Sequence, residues 1–165
     1  MMGIRAIAPG LITLTSFAVL SIALASQYFG GLEPCMLCHY QRWAYFFTFT
    51  AGLLAWALPS GSTARRWLIA ACAMAFAIGC AVAIYHAGVG DGWFTGPISC
   101  SGTGETPDTI GELRRQLLSQ PMVRCDEPAW TKFGVSMAGY NVLTSAVLAA
   151  ISLYAAARMP GNTNT

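Results

Sequence analysis

Charged residues are scarce in this chain. They make up 10% of its 165 residues, whereas about a quarter of the residues of a soluble domain are charged. Hydrophobic residues make up 55%. This balance excludes an ordinary soluble domain and indicates a membrane protein of one domain. A net charge of +2 is too small to suggest a nucleic-acid partner.

Charge is scarcest in four apolar stretches, each close to the roughly 20 residues that cross a hydrocarbon layer. They are residues 11–29, 40–58, 67–88 and 136–157. Three contain no acidic or basic residue, and the second contains only Arg42, near its start, where a long side chain can reach the interface. The sequence therefore predicts an all-α membrane protein, a four-transmembrane-helix bundle embedded in lipid over residues 1–165.

The first apolar stretch has an alternative interpretation. Arg5, the apolar run and Ala23-Leu24-Ala25 imitate a secretory signal with a small-residue cleavage site. The run is longer than a usual signal core, so we expect it to remain as a membrane span.

Acidic residues are absent from one side of the predicted bundle. All seven lie in the connections 30–39 and 89–135, and none lies at the termini or in 59–66. Basic residues divide evenly between the sides, but four cysteines share the acid-rich side: Cys35, Cys38, Cys100 and Cys125. Disulfides persist in the periplasm and not in the cytosol. We therefore expect cytoplasmic termini and periplasmic cysteines; unpaired cytosolic thiols are the alternative.

The connection 89–135 divides into two parts. Residues 88–104 are rich in Gly, Ser, Thr and Pro and are expected to be irregular. Residues 107–122 predict a short helix with Ile110, Leu113 and Leu117 on one face. Such a helix would lie parallel to the membrane surface or pack against protein.

Six cysteines occur in the chain. Cys72 and Cys80 lie inside the third apolar stretch, where a free cysteine behaves as a small apolar residue. The other four allow three pairings. We expect adjacent pairing at rest, in which the 100–125 disulfide either staples the loop or exchanges with the 35–38 pair and so moves electrons.

Cys38 is predicted to be a reactive thiolate. It precedes a helix start, whose amide dipoles favour negative charge, and Arg42 follows one turn later on the same face. A lipid-soluble quinone is the natural electron acceptor at that depth, and His86 could donate a hydrogen bond to it. Four aromatic residues could wall the ring or simply form an interfacial belt: Phe29, Tyr40, Trp43 and Tyr45.

The order of these motifs along the chain is specific. It runs Pro34-Cys35-Met36-Leu37-Cys38, Gln41-Arg42, His86, Cys100, Cys125-Asp126-Glu127-Pro128-Ala129-Trp130, Phe133-Gly134 and Tyr140-Asn141. This set resembles the DsbB family of bacterial inner-membrane proteins, which serve disulfide formation and protein folding in the periplasm. The resemblance covers nearly the whole chain.

The resemblance implies a thiol:quinone oxidoreductase that oxidises DsbA and reduces ubiquinone or menaquinone. It implies that Cys100 forms the mixed disulfide with DsbA, and that the released Cys125 attacks Cys35. Cys38 would then be freed and donate charge to the quinone beside Arg42. His86 matches a histidine near the quinone in the family.

Two other functions begin from the same residues. Cys35-Met36-Leu37-Cys38-His39 fits the attachment pattern of a membrane c-type cytochrome. The two cysteines and His39 could alternatively bind copper or zinc in a metal-handling protein. Both leave Cys100, Cys125 and Arg42 unexplained. A quinone-linked enzyme of the vitamin K epoxide reductase type would carry its reactive pair late in the chain.

Overall fold

Four helices form the described part of the chain, which comprises residues 4–97, 109–111, 114 and 123–159 of the computed structural model. They are α1 (Ile4–Tyr28), α2 (Met36–Ala57), α3 (Thr63–Gly90) and α4 (Met137–Arg158). A two-stranded sheet of β1 (Thr131–Lys132) and β2 (Val135–Ser136) immediately precedes α4. The prediction of four main helices is confirmed.

Three of the four helices are long and apolar enough to cross a membrane. These segments are Ala6–Tyr28, Thr63–Gly90 and Met137–Arg158. Helix α2 is 22 residues long, but its first turns carry His39, Gln41 and Arg42, which lower its mean hydropathy. Its membrane crossing therefore remains a prediction from the sequence.

The first three helices begin earlier than the apolar stretches that predicted them, and residues outside those stretches cap α2 and α3. Cys35 caps α2, and its sulfur accepts the backbone N–H of Cys38. Ser62 caps α3 through the N–H of Arg65, and Ser136 caps α4 through the N–H of Gly139. Caps of this kind satisfy amides that the first turn of a helix leaves unpaired.

Small residues allow the helices to pack closely. Helix α3 packs against both α2 and α4, and α1 packs mainly against α2. A Cβ at Gly52 would lie 2.8 Å from Thr13 Oγ1, and one at Gly79 would lie 3.2 Å from Ala44 Cβ. Small residues at helix contacts are typical of membrane bundles, where close packing rather than water exclusion drives association.

Polar residues lie inside the bundle and large apolar residues outside it. The Ser16 and Thr48 hydroxyls are 2.9 Å apart between α1 and α2, and both residues are buried. Many large apolar side chains are instead exposed, among them Phe17, Ile22, Leu54, Trp67, Met74 and Leu153. This arrangement suits helices whose outer faces contact lipid.

A tight hairpin joins the last loop to α4. Thr131 pairs with Ser136 and Lys132 with Val135, and the two residues between them have positive φ, 53° at Phe133 and 76° at Gly134. Two successive positive φ values are characteristic of a type I′ turn. The sequence analysis did not predict this hairpin, because phenylalanine rarely adopts a left-handed conformation.

The predicted helix 107–122 lies mostly outside the described residues. Ile110, Gly111 and Arg114 are helical and exposed. The predicted orientation of this helix on the membrane surface therefore stays a prediction.

Candidate functional site

The Cys-x-x-Cys pair lies at the start of α2. Cys35 is buried, with 4% of its surface exposed, and Cys38 is half-buried in the first turn. The two Sγ atoms are 2.9 Å apart, and the backbone N–H of Cys38 donates to Cys35 Sγ at 3.4 Å. Both cysteines are free thiols. The pair is thus described here in its reduced form, and the resting disulfide expected from the sequence stays a prediction.

Cys125 lies in the same cluster as the pair. It is disulfide-bonded and only 1% exposed, and it forms one apolar cluster with Cys35, Leu37 and Val89. Cys38 packs against the edge of this cluster. The last loop thus carries one of its cysteines to the sulfurs of α2, even though about ninety residues of chain separate them.

His86, near the end of α3, is the third group at the sulfurs. Its Nε2 lies 3.5 Å from Cys35 Sγ. The sulfurs of Cys35 and Cys38 and a ring nitrogen of His86 all lie within 4.8 Å of one another. His39, which the alternative functions require as a ligand, is instead exposed.

A chain of hydrogen bonds runs from His86 into α4. Gln41 Nε2 lies 3.1 Å from His86 Nδ1, and Asn141 Nδ2 donates to Gln41 Oε1 at 2.5 Å. Tyr45 OH in turn donates to Asn141 Oδ1 at 2.5 Å. Because Gln41 uses its oxygen toward Asn141, its NH₂ group must donate to His86. The ring proton of neutral His86 therefore lies on Nε2, which faces Cys35.

Several donors converge on the Cys35 sulfur and lower its pKa. The pKa falls from 9.0 to about 4, and the largest cause is the hydrogen bond with the Cys38 side chain. Burial opposes this change, whereas His86 and the backbone N–H of Cys38 add to it. The sequence analysis expected the thiolate at Cys38. Here the pKa of Cys35 is lowered and that of Cys38 is raised, in both cases chiefly by the hydrogen bond between the two side chains, so Cys35 is the favoured thiolate.

Arg42 connects α2 to the end of α1. Its guanidinium donates to Gln27 Oε1 at 2.5 Å and to the Ala23 carbonyl at 3.1 Å. The pKa of Cys38 is raised, chiefly by the hydrogen bond with Cys35 and by burial, and the Arg42 charge opposes this only weakly. The side chain is half-buried and lines the same cavity as the cysteines, so it does not face bare lipid.

A cavity of about 580 Å³ opens beside these residues. Its lining combines apolar side chains of α1 with polar groups of α2 and α3, including Val19, Ile22, Cys38, Arg42 and His86. Sites for small organic ligands usually have volumes of about 300–1,000 Å³, apolar walls and a few polar groups. The cavity therefore has the size and chemistry for a quinone ring.

The four aromatic residues that the sequence suggested as walls of a quinone site fall into two groups. Tyr45 is buried and lines the cavity. Phe29, Tyr40 and Trp43 are exposed on the outer surface, where the alternative interpretation as an interfacial belt fits them better.

The remaining cysteines lie elsewhere. Cys72 is buried within α3, and half-buried Cys80 contacts the Val142 carbonyl of α4 at 3.6 Å. Neither lines the cavity as far as the described residues define it. Cys100 lies outside the described residues, so its predicted role stays a prediction.

Sequence reasoning assigned no role to the two amides that order His86. Gln41 and Asn141 are the residues in question, and the available signal was an amide inside each of two mostly apolar helices. Buried amides need partners, but only the packed structure shows that these two amides contact each other.

The sequence profile of the family described as disulfide bond formation protein DsbB matches residues 5–155. The chain belongs to the DsbB family. A disulfide bond formation protein B from Actinobacillus pleuropneumoniae is 30% identical over 146 residues, covering 84% of this chain and 78% of that protein. No solved structure matches the chain.

Two further relatives extend the comparison. An uncharacterized protein of Rickettsia prowazekii is 28% identical over 140 residues, covering 84% of this chain and 79% of that protein. A disulfide bond formation protein B from Blochmanniella floridana is 42% identical over 55 residues, about a third of each chain. DsbB membership and three helices long and apolar enough to cross a membrane identify a multi-pass membrane oxidoreductase of disulfide formation, and this family membership implies a periplasmic thiol oxidoreductase as partner.

Proposed function

We propose that this DsbB-family protein oxidises a reduced DsbA-type protein and passes the electrons through two cysteine pairs to a membrane quinone. In the complete reaction one dithiol becomes a disulfide, and one quinone takes up two electrons and two protons to become a quinol. The reaction places the cysteines on the periplasmic side of the inner membrane and the termini in the cytoplasm. It also requires all four helices, α2 included, to cross the membrane.

The observation that carries the proposal is the contact between the two cysteine regions. Cys35 and Cys125 are buried in one cluster, although they belong to different loops. A loop disulfide used only as a staple has no need to pack against a second reactive pair. Thiol–disulfide exchange requires such packing, because one sulfur must reach another.

The shared cluster of Cys35 and Cys125 supports the following relay. A DsbA thiol attacks the loop disulfide at Cys100 and releases Cys125 as a thiolate. Cys125 then attacks Cys35 of an oxidised 35–38 pair, and Cys38 leaves with the electron pair of the broken bond. Cys35 is the reachable sulfur because it shares the buried cluster with Cys125.

The hydrogen bonds around Cys35 make the disulfide of this pair a stronger oxidant. His86 Nε2 and the Cys38 amide both point at its sulfur, and they stabilise the reduced pair. A dithiol whose reduced form is stabilised makes a more oxidising disulfide. This suits a protein that must reoxidise DsbA, itself a strong oxidant with a potential of about −120 mV.

The cavity supplies the place for the acceptor. When bound, a quinone supplies a two-electron acceptor for the sulfurs. Arg42 and His86 would hold its polar ring, and the apolar side chains of α1 would contact its faces. With Cys35 engaged by Cys125, Cys38 would be the remaining thiolate, and the Arg42 charge favours that form.

The test is reconstitution of the purified protein with reduced DsbA and ubiquinone or menaquinone, followed by quinone absorbance. We expect reduction of the quinone only when all three components are present. Cys38→Ser and Cys125→Ser should each bring the rate to the uncatalysed background, because each removes an obligatory sulfur.

Cys80→Ser is the matched control, since Cys80 is a thiol of α3 that does not contact the pair. It should change the rate by less than about twofold. Cys100→Ser should prevent a trapped mixed disulfide with DsbA. Normal turnover by Cys38→Ser, or haem absorbance in the purified protein, would refute the proposed function.

A further inference from the structure

We propose that reduced Cys35 and Cys38, together with His86, form a binding site for one zinc ion. Two thiol sulfurs and one imidazole nitrogen are ligands that zinc prefers. In this structure the three ligand atoms come from two helices and lie within 4.8 Å of one another. The site differs from the metal site suggested by the sequence motif, because His86 and not the adjacent His39 supplies the nitrogen.

Tetrahedral zinc requires a movement of the Cys38 side chain. Zinc binds sulfur at about 2.3 Å and nitrogen at about 2.0 Å. In tetrahedral geometry, a nitrogen and a sulfur ligand are therefore about 3.5 Å apart, and two sulfur ligands are about 3.8 Å apart. His86 Nε2 and Cys35 Sγ are 3.5 Å apart. The two sulfurs, at 2.9 Å, must separate by about 0.9 Å. Cys38 Sγ lies within 4.8 Å of the His86 ring nitrogen and must reach the same N–S spacing of about 3.5 Å. Rotation of the Cys38 side chain changes both distances.

The amide chain behind His86 can support a metal-bound ring. Zinc at Nε2 requires the proton on Nδ1 and an acceptor beside it. Gln41 provides that acceptor if its amide turns over and presents Oε1 to the ring. Asn141 then turns in the same sense, accepts from the Gln41 NH₂ group and donates to Tyr45 OH. The hydrogen-bonded contacts between these side chains are kept.

The cavity beside the sulfurs leaves room for a fourth ligand. Cys38 and His86 both line it and are only half-buried. Three protein ligands with a water in the fourth position are common where zinc is not a purely structural element. An ion can therefore enter from the cavity without unfolding of the helix ends.

Zinc binding would block the redox chemistry of the pair. Zinc forms one bond to each sulfur, both as thiolates, and one to the imidazole; any proton still held by a cysteine passes to solvent, and no oxidation state changes. Both sulfurs are then occupied and cannot join as a disulfide until the ion leaves. The resulting reversible inhibition rests on the proposed thiol:quinone activity, whereas the binding itself does not.

The binding test uses the full-length Cys100→Ser, Cys125→Ser protein in detergent, so that no loop thiol competes. Zinc is titrated calorimetrically into the reduced and the oxidised protein, and zinc-edge X-ray absorption counts the ligands. We expect one equivalent bound by the reduced form, two sulfurs and one imidazole at the metal, and no binding by the oxidised form.

Single substitutions assign the ligands. Cys35→Ser, Cys38→Ser and His86→Ala should each weaken binding by on the order of 100-fold, since even residues behind the ligands typically contribute about 10–100-fold. Gln41→Leu should weaken it by about tenfold. His39→Ala, the matched control at the exposed histidine, should leave the affinity within about twofold.

The outcomes separate this inference from the proposed function. Undiminished binding in Cys35→Ser, equal losses in His39→Ala and His86→Ala, or binding by the oxidised form would overturn the zinc site. Stoichiometric binding without any slowing of quinone reduction by the wild-type protein would overturn the inhibition. Zinc binding as expected in a protein with no thiol:quinone activity would leave the site intact and refute the proposed function.

Discussion

The two ends of the bundle each hold an arginine that binds α1, and the two arginines serve different purposes. At the end opposite the cysteines, Arg65 is 4% exposed and donates to the Leu58 carbonyl, Ser60 Oγ and the Ala6 carbonyl. At the cysteine end, half-buried Arg42 donates to Gln27 and Ala23 and also lines the cavity. Both arginines connect helices, but only Arg42 borders space that a ligand can fill.

The end of the bundle at Arg65 serves stability, and the end at the cysteines serves chemistry. The Arg65 end is closed by Met159 and Ala8 of the main core. The cysteine end keeps a cavity, a reduced thiol pair and a loop cysteine in contact. Functional sites commonly retain open space and unusual electrostatics where the rest of a fold is closely packed.

Replacement of Arg65 should have the largest effect on stability. Arg65→Ala leaves the carbonyls of Ala6 and Leu58 without their charged donor, and we expect the free energy of unfolding to fall by about 3 kcal/mol. Detergent-solubilised protein, unfolded by denaturant and followed by circular dichroism, provides the measurement. Arg66→Ala, on the same helix but more exposed, is the control and should cost less than about 0.5 kcal/mol. If Arg65→Ala and Arg66→Ala lost equal stability, the special stabilising role assigned to Arg65 at its end of the bundle would be wrong.

The charge state of the cysteine end can be tested by pH. Because the pKa of Cys35 is lowered to about 4, its thiolate is present throughout pH 6–8. Its alkylation rate in the reduced protein should therefore stay nearly constant over that range. In His86→Ala or Cys38→Ser the pKa should rise toward an ordinary value, so the rate at pH 6 should be roughly 100-fold below that at pH 8 for a pKa near 8.5.

Mass spectrometry after short exposures to iodoacetamide reports each cysteine separately. The opposite result, with a flat rate at Cys38 and a steep pH dependence at Cys35, would return the thiolate to the position expected from the sequence.

Arg42 should affect the quinone step more than the thiol step. Arg42→Ala removes a charged donor from the cavity, and we expect KM for quinone to rise about tenfold. Oxidation of DsbA in a single turnover should change by less than about twofold, because Arg42 hydrogen-bonds to Gln27 and Ala23 of α1, whereas Cys125 lies in the cluster with Cys35. Arg42→Lys, which keeps the charge, should recover part of the loss. Equal losses in both half-reactions would contradict the assigned role.

The sequence predicted both the helices and most residues of the candidate site, and the physical reasons differ. Apolar runs without charge identify the helices because hydrocarbon accepts little else. The ordered cysteine motifs indicated the site, and the structure brings Cys35, Cys38, His86 and Cys125 together. Helix starts were predicted too late, since Cys35 and Ser62 cap their helices outside the apolar runs.

Details of the site required the packed structure. The position of the thiolate depends chiefly on the hydrogen bond between the two cysteine side chains, which lowers the pKa of Cys35 and raises that of Cys38. The chain from His86 through Gln41 to Asn141 crosses three helices. Its partners depend on the relative heights of those helices, which periodicity in one segment does not determine.

The smallest expected effect concerns the hairpin at the cysteine end. Phe133 has φ 53° and is 89% exposed, so its ring gains little from burial while its backbone is strained. Phe133→Asn should raise the free energy of unfolding by about 0.5–1 kcal/mol, because asparagine tolerates a left-handed conformation. Gly134→Ala, with φ 76° at the native glycine, should instead lower it by about 1 kcal/mol. Denaturant unfolding compares the variants; loss of stability in Phe133→Asn would mean that the exposed ring contributes to stability, as it would by binding lipid.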